Sequence, residues 1–278
     1  MQVTGAGLGL RREMFSEILP ELPREVDFWE IAPENWLTLG GKFQAQLQAC
    51  AEQTTLTCHG LSLSIGSYDP LDMQLLRDIK QFINRYNISV YSEHLSYCSA
   101  DGHMYDLLPI PFTPEAVKHV VARIHQVQDI LEMPLVLENT SYYLAPGQQM
   151  SELDFTLEVL QRSGCEMLLD VNNLYVNSIN HNYDASHFLE SLPSRKIVYG
   201  HIAGHYDEAD DLKIDTHGAD VIEPVWALLS KAYELHGVFP TLLERDFNIP
   251  PVTDLVEDVK RIKHIQTQAS NHLCSRTA

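Results

Sequence analysis

Eight short runs rich in β-branched and aromatic residues punctuate the 278-residue chain: Val3–Leu8, Phe28–Ile31, Leu56–His59, Ser89–His94, Leu135–Glu138, Met167–Asp170, Ile197–His201 and Thr241–Glu244. Between them lie segments of helical period: Met14–Leu19, Phe43–Glu52, Leu71–Arg85, Pro114–Leu131, Leu153–Arg162, Ser186–Leu192, Pro224–His236 and Val252–Ile265. A strand that reads as a nearly continuous apolar run is buried on both faces, as in a parallel sheet covered by helices. Eight such units predict an α/β chain closed as a (β/α)8 TIM barrel, a fold of about 250 residues that nearly consumes this one. Residues 1–265 are therefore expected to form a single TIM-barrel domain, and the aperiodic QTQASNHLCSRTA at 266–278 a frayed tail. One helix start is spelled out locally. Thr113 offers a capping oxygen, Pro114 suits the first turn, and Glu115 complements the helix dipole.

Six of the runs end on a side chain able to bind metal: TLTCHG at His59, VYSEHL at Glu93 and His94, LVLENT at Glu138, MLLDVNN at Asp170, IVYGHIAGH at His201 and LLERD at Glu244. Positions 59, 94, 138, 170, 201 and 244 are separated by 35, 44, 32, 31 and 43 residues, one barrel unit each with room for loop insertions. Barrel enzymes build their sites at the C-terminal ends of the strands, which is where each of these residues falls. A buried carboxylate ending a Val/Leu run is costly unless paired or bound to a cation. Three histidines supply too little charge for Glu138, Asp170 and Glu244, so divalent metals are expected to supply the rest. A nitrogen and oxygen donor set without thiolate fits iron, manganese or zinc. Beyond the seventh run, Asp215 and His217 alternate in an extended segment and so face the same way, with His205 shortly before them.

The remaining composition narrows the partners. A net charge of −19 opposes binding to nucleic acid or anionic lipid, which depends on Lys and Arg neutralising phosphate. The N-terminus lacks a charged head followed by an apolar stretch, and no window reaches roughly 18 apolar residues, so a soluble cytoplasmic protein is expected. Five scattered cysteines without a C-x-x-C pair predict buried thiols rather than disulfides or a zinc ribbon.

The order His, His, Glu, Asp, His, D-x-H, Glu resembles the trinuclear-metal barrels of the endonuclease IV and xylose isomerase-like superfamily. A fuller pattern is more particular: GAGLGLR, FWEIAPENW, CHGLSLSIGS, SEHLSY followed by DLLPIPFT, LENTSYY, LLDVNNLYVN, HIAGH, DTHG and LLERD. It is similar to the formerly uncharacterised bacterial family of multinuclear non-haem iron-dependent oxidative enzymes that includes the methanobactin biosynthesis oxidase. The similarity spans about residues 3–264. It implies two or three iron ions, with Glu138 bridging one ion held by His59 and His94 and a second held by Asp170, His201 and Glu244. A third ion would take Asp215 and His217, with Asn173 where the endonuclease pattern has a His, and His205 as an alternative donor. Glu138, Asp170 and His201 are the residues expected at the catalytic centre. The implied activity is oxidation by dioxygen of a cysteine-containing residue in a ribosomally made precursor peptide, often presented by a separate partner protein. The aromatic-rich loops WLTLGG, SYCSADGHMY and SYYLAPG are candidates to line a peptide groove. The rival readings are a zinc or manganese hydrolase or isomerase on the same scaffold, and a metal-binding protein without turnover.

Other residues are read more plainly. Strand alternation points Glu93 and Cys58 away from the barrel lumen. Glu30 and Asn35 either reach the site edge or close an inter-loop hydrogen bond. Gly5, Gly7 and Gly9 do not spell a nucleotide-binding motif and are expected to permit close packing.

Overall fold

The computed structural model describes residues 3–276. Its strands are β1 (Ala6–Gly9), β2 (Phe28–Ile31), β3 (Thr55–His59), β4 (Tyr91–His94), β5 (Tyr97–Ser99), β6 (His103–Leu108), β7 (Val136–Glu138), β8 (Glu166–Asp170), β9 (Ile197–Ile202), β10 (Tyr206–Ala209), β11 (Leu212–Ile214) and β12 (Thr241–Leu243). Eight of them close a parallel barrel in the order β1-β2-β3-β4-β7-β8-β9-β12, and β12 pairs back onto β1. The chain is thus the (β/α)8 barrel that its periodicity predicts. The principal helices are α1 (Phe15–Ile18), α2 (Gly41–Ala51), α3 (Met73–Tyr86), α4 (Pro114–Leu131), α5 (Glu152–Ser163), α6 (Val171–Asn180), α7 (Ala185–Ser191), α8 (Glu223–His236) and α9 (Val252–Arg276).

Local chemistry explains the boundaries. Thr113 caps α4 by accepting from the Ala116 amide at 3.1 Å, with Pro114 in the first turn. Asp72 caps α3, and Asn87 ends it in the left-handed region at φ 54°. Leu76, Ile79, Phe82 and Ile83 recur at helical spacing on α3 and bury its inner face against the barrel.

Alternation along the strands sorts the lumen into layers. Phe28, Val136, Leu168, Tyr199 and Leu242 form, with Val3, an apolar cluster separate from the main core between sheet and helices. These side chains plug the barrel. Two residues farther along the same strands stand Glu30, Glu138, Asp170, His201 and Glu244, all with at most 8% exposure. The period of two therefore places a polar layer directly above an apolar one. Strand β1 adds no side chain to either layer: it contributes Gly7, where a Cβ would stand 2.3 Å from the Phe28 ring, and then Gly9.

Three features depart from expectation. Helix α6 follows Asp170 without a connecting loop, because Asp170 ends β8 and also caps the helix by accepting from the Asn173 amide at 2.6 Å. The long intervals after His94 and His201 contain the antiparallel hairpins β5–β6 and β10–β11. The third departure is the tail. Helix α9 continues to Arg276, so the chain is not frayed from residue 266: Gln266 Nε2 reaches the Gly5 and Phe239 carbonyls at 3.0 and 3.2 Å, and Ala269 is buried. Ending the chain after Ile265 removes two hydrogen bonds, although Thr241 still donates to both carbonyls, and should lower stability in urea unfolding by about 2 kcal/mol. An unchanged midpoint would show that the last turns contribute nothing.

Cys50, Cys58, Cys98 and Cys165 are buried free thiols, and Cys274 lies outside the described side chains. Among the described residues no helix is long and apolar enough to cross a membrane.

Candidate metal centre

The polar layer gathers donors from seven strands and the loops that follow them. At the end of β3, His59 Nδ1 lies 2.8 Å from Ser92 Oγ, whose own proton goes to the Cys58 carbonyl. The hydroxyl must therefore accept, so His59 carries its proton on Nδ1 and presents a bare Nε2. That lone pair faces Glu138 Oε2 at 3.0 Å and His94 Nε2 at 3.1 Å. Burial, and then the neighbouring His94, pushes His59 down to about 4 and keeps it neutral. For His94 burial also opposes charge, but Glu138 and Glu93 outweigh it and raise the group to about 9.

Glu138 is held by one oxygen. Asn173 Nδ2 donates to Oε1 at 2.9 Å, and Oε2 is left toward the two histidines. Asp170 repeats the arrangement, with Oδ1 on the Asn173 amide and Oδ2 unbonded. A reciprocal pair fixes the strand ends: Asn139 Nδ2 donates to the Asp170 carbonyl, and Asn139 Oδ1 accepts from its amide. Burial first, and then the Glu138 charge, raises the Asp170 carboxyl to about 8; burial likewise raises Glu138. Glu244 stands well below its ordinary range, because His201 and His217 overcome its burial.

His201 sits between two carboxylates, with Nδ1 2.8 Å from Glu244 Oε2 and Nε2 3.1 Å from Glu30 Oε1. His217, in the left-handed region at φ 48°, has Nε2 2.7 Å from Asp215 Oδ1 and Nδ1 3.3 Å from Glu244 Oε2. Asp215 is itself anchored by Ser141 Oγ at 2.9 Å and Asn172 Nδ2 at 3.0 Å.

Four groups bring donor atoms within 4.8 Å of one another: His59, His94 and Glu138; Glu138, Asp170 and His201; Asp170, His217 and Glu244; and Glu30, His201 and Glu244. Glu138 Oε2, Asp170 Oδ2, Asn173 Oδ1, His201 Nδ1, His217 Nε2 and Glu244 Oε2 are buried without a hydrogen bond among the described residues. Buried polar atoms crowded at such distances without hydrogen bonds bear a desolvation cost, and a cation held between them would remove it. The residues fit divalent metal, and as an all-nitrogen-and-oxygen set they suit iron, manganese or zinc.

Nine of the ten candidate donors thus stand in or against this cluster. His205 does not. Its Nδ1 bonds Asn172 Oδ1 at 2.8 Å, and Asn172 in turn bonds Asp215. Glu93 faces outward as expected, accepting from the Leu63 amide at 2.9 Å and the Tyr91 hydroxyl at 3.1 Å. Glu30, whose place the sequence left open, belongs to this layer beside His201: it precedes the last residue of β2, two residues after Phe28.

A cavity of about 470 Å³ opens above the cluster. Leu61, Leu107 and Phe247 form apolar parts of its wall, and Arg11, ion-paired with Asp246, contributes a guanidinium.

Relatives place this architecture. The sequence profile of the RiPP precursor modification enzyme MbnB/TglH/ChrH matches residues 5–267. A UPF0276 protein of Shewanella sediminis is 60% identical over 272 residues, 98% of each chain. Among solved structures, D-psicose 3-epimerase from Clostridium cellulolyticum superposes with TM-score 0.58 at 13% identity, covering 98% of each chain. Endonuclease IV from Thermus thermophilus gives 0.57 at 9%, covering 95% of this chain and 99% of its own. These two share the barrel of the xylose isomerase-like and endonuclease IV-like group. By the profile match and the extent of that identity, the chain belongs to the MbnB/TglH/ChrH family of RiPP precursor modification enzymes.

Proposed function

We propose that the protein is a multinuclear iron-dependent oxidase that uses dioxygen to modify a cysteine-containing residue of a ribosomally made precursor peptide, in the cytoplasm and with a partner protein presenting the peptide. The convergence of orphaned nitrogen and oxygen donors at the floor of an open cavity carries this reading, together with membership of a peptide-modifying family. His59, His94 and Glu138 would hold one ion, and Glu138, Asp170, His201 and Glu244 a second. Asp215, His217 and Asn173 would hold a third. Bound iron supplies the one-electron exchange with dioxygen that oxidation of a cysteine residue requires.

The chain's own residues supply the rest. Ser92 sets the His59 tautomer, and Asn173 turns Glu138 so that one oxygen is left for metal. Leu61, Leu107 and Phe247 give an extended peptide apolar surface to lie against, and the Arg11–Asp246 pair fixes a positive charge at the wall.

Elemental analysis of protein purified without added metal, followed by dioxygen uptake with reduced iron and cysteine peptides, tests the proposal. Iron with peptide-dependent uptake supports it. Zinc alone with hydrolytic turnover would support the hydrolase instead, and iron with no uptake would refute an oxidase. Asp215→Ala should release only the third ion, leaving the pair held through Glu138 in place. Loss of the pair as well would break that division of donors.

A further inference from the structure

We propose that Glu30 is the positioning residue of His201: it takes the Nε2 proton and thereby turns the Nδ1 lone pair to the metal centre. The inference rests on the metal centre proposed above and assigns a role that strand-end reading left open. Tyr199 donates its hydroxyl to Glu30 Oε2 at 2.9 Å, so the carboxylate is held from below by a residue of the apolar layer. Against this anchored carboxylate lies His201 Nε2, 3.1 Å from Oε1 and 3.3 Å from Oε2. A carboxylate only accepts, so the bond requires the proton on Nε2.

In the neutral ring that a bound cation would select, the opposite nitrogen then carries the lone pair. Nδ1 stands 2.8 Å from Glu244 Oε2, yet neither atom makes a hydrogen bond among the described residues. An imidazolium shared between two carboxylates would point an N–H along that line. The two atoms are instead close without lying along a hydrogen bond, an approach that suits a cation ligated by both. An outer carboxylate that fixes the tautomer and raises the basicity of a ligating histidine is a recurring device, and its loss costs about 10–100-fold in metal affinity.

Titration of the metal-free chain with Co(II), followed by its visible absorption, separates the possibilities. Glu30→Gln should bind as many ions as the wild type, one of them about 10–100-fold more weakly and with shifted bands. Tyr199→Phe, which removes only the anchor of Glu30, should move the same ion in the same direction by less. Wild-type affinity and spectrum in both variants would overturn the assignment, and so would outright loss of one ion in Glu30→Gln, which would make Glu30 a ligand. Should Glu30→Gln not fold, Tyr199→Phe decides alone: a weakened, shifted ion supports the role and an unchanged one refutes it. A wild type that binds no Co(II) would refute the metal centre itself, a result distinct from binding that ignores the variants.

Discussion

Glu138→Ala is expected to empty two metal positions at once and to stabilise the metal-free protein. The first effect follows from where its free oxygen lies. Oε2 is 3.0 Å from His59 Nε2 and 3.6 Å from His94 Nε2, while the same residue groups with Asp170 and His201 on its other side. Removing a shared donor should lower the metal content by two ions in elemental analysis. Peptide oxidation should fall by more than about a hundredfold, the most that loss of an outer partner explains. A variant that loses one ion would confine Glu138 to a single position. The second effect follows from burial. Without a cation, burial pushes the Glu138 carboxyl toward its neutral form by more than His94 and His201 draw it back, so the native fold bears a desolvation penalty that alanine lacks. In metal-free urea unfolding the variant's midpoint should rise, while in saturating metal the wild type should regain the advantage because ligands bind the folded state. A lower midpoint in both conditions would mean that Glu138 is a structural residue of the barrel.

Gly204→Ala should be the most damaging single-methyl change on this face. A Cβ there would stand 2.1 Å from the Ala219 carbonyl oxygen and 2.7 Å from that of Asp220, both backbone atoms with no rotamer to escape into. The segment that must retreat begins two residues after His217 and is tied down by Arg245, whose guanidinium bonds the same Ala219 carbonyl. Overpacking of this kind costs about 3 kcal/mol. The displacement should also weaken the ion assigned to Asp215 and His217 while sparing the pair around Glu138. Thermal unfolding with metal analysis of the folded fraction checks both, and a variant of wild-type stability would show that the loop yields freely.

Much of the architecture was legible because burial on both faces writes strands as apolar runs. Phe28–Ile31 is a strand with the bounds its residues suggest, and Pro114–Leu131 a helix with the bounds its cap and proline suggest. What escaped has a common cause: polar residues whose partners are distant in sequence. Helix α6 carries Asn172, Asn173 and Asn177, which read as loop formers, yet each is buried and bonded across to the segment after β7 or the one after β9. Gln266 looks like tail composition until Gly5 and Phe239 are beside it. Glu30 was hidden by its place one residue short of the strand end, and His205 stood out only by its nearness to Asp215 and His217 in sequence, although it bonds Asn172 instead.

The ladder between β1 and β12, which sets Ala6 beside Thr241, has a consequence for biosynthesis. The proposed ligands are strewn from His59 to Glu244, so a nascent polypeptide emerging from the ribosome holds no full set until nearly all of it has been translated. The seam between first and last strands must zip before the floor of the cavity exists. Loading of the proposed centre would therefore follow synthesis of nearly the whole polypeptide, since no earlier fragment holds the candidate ligands of all four groups.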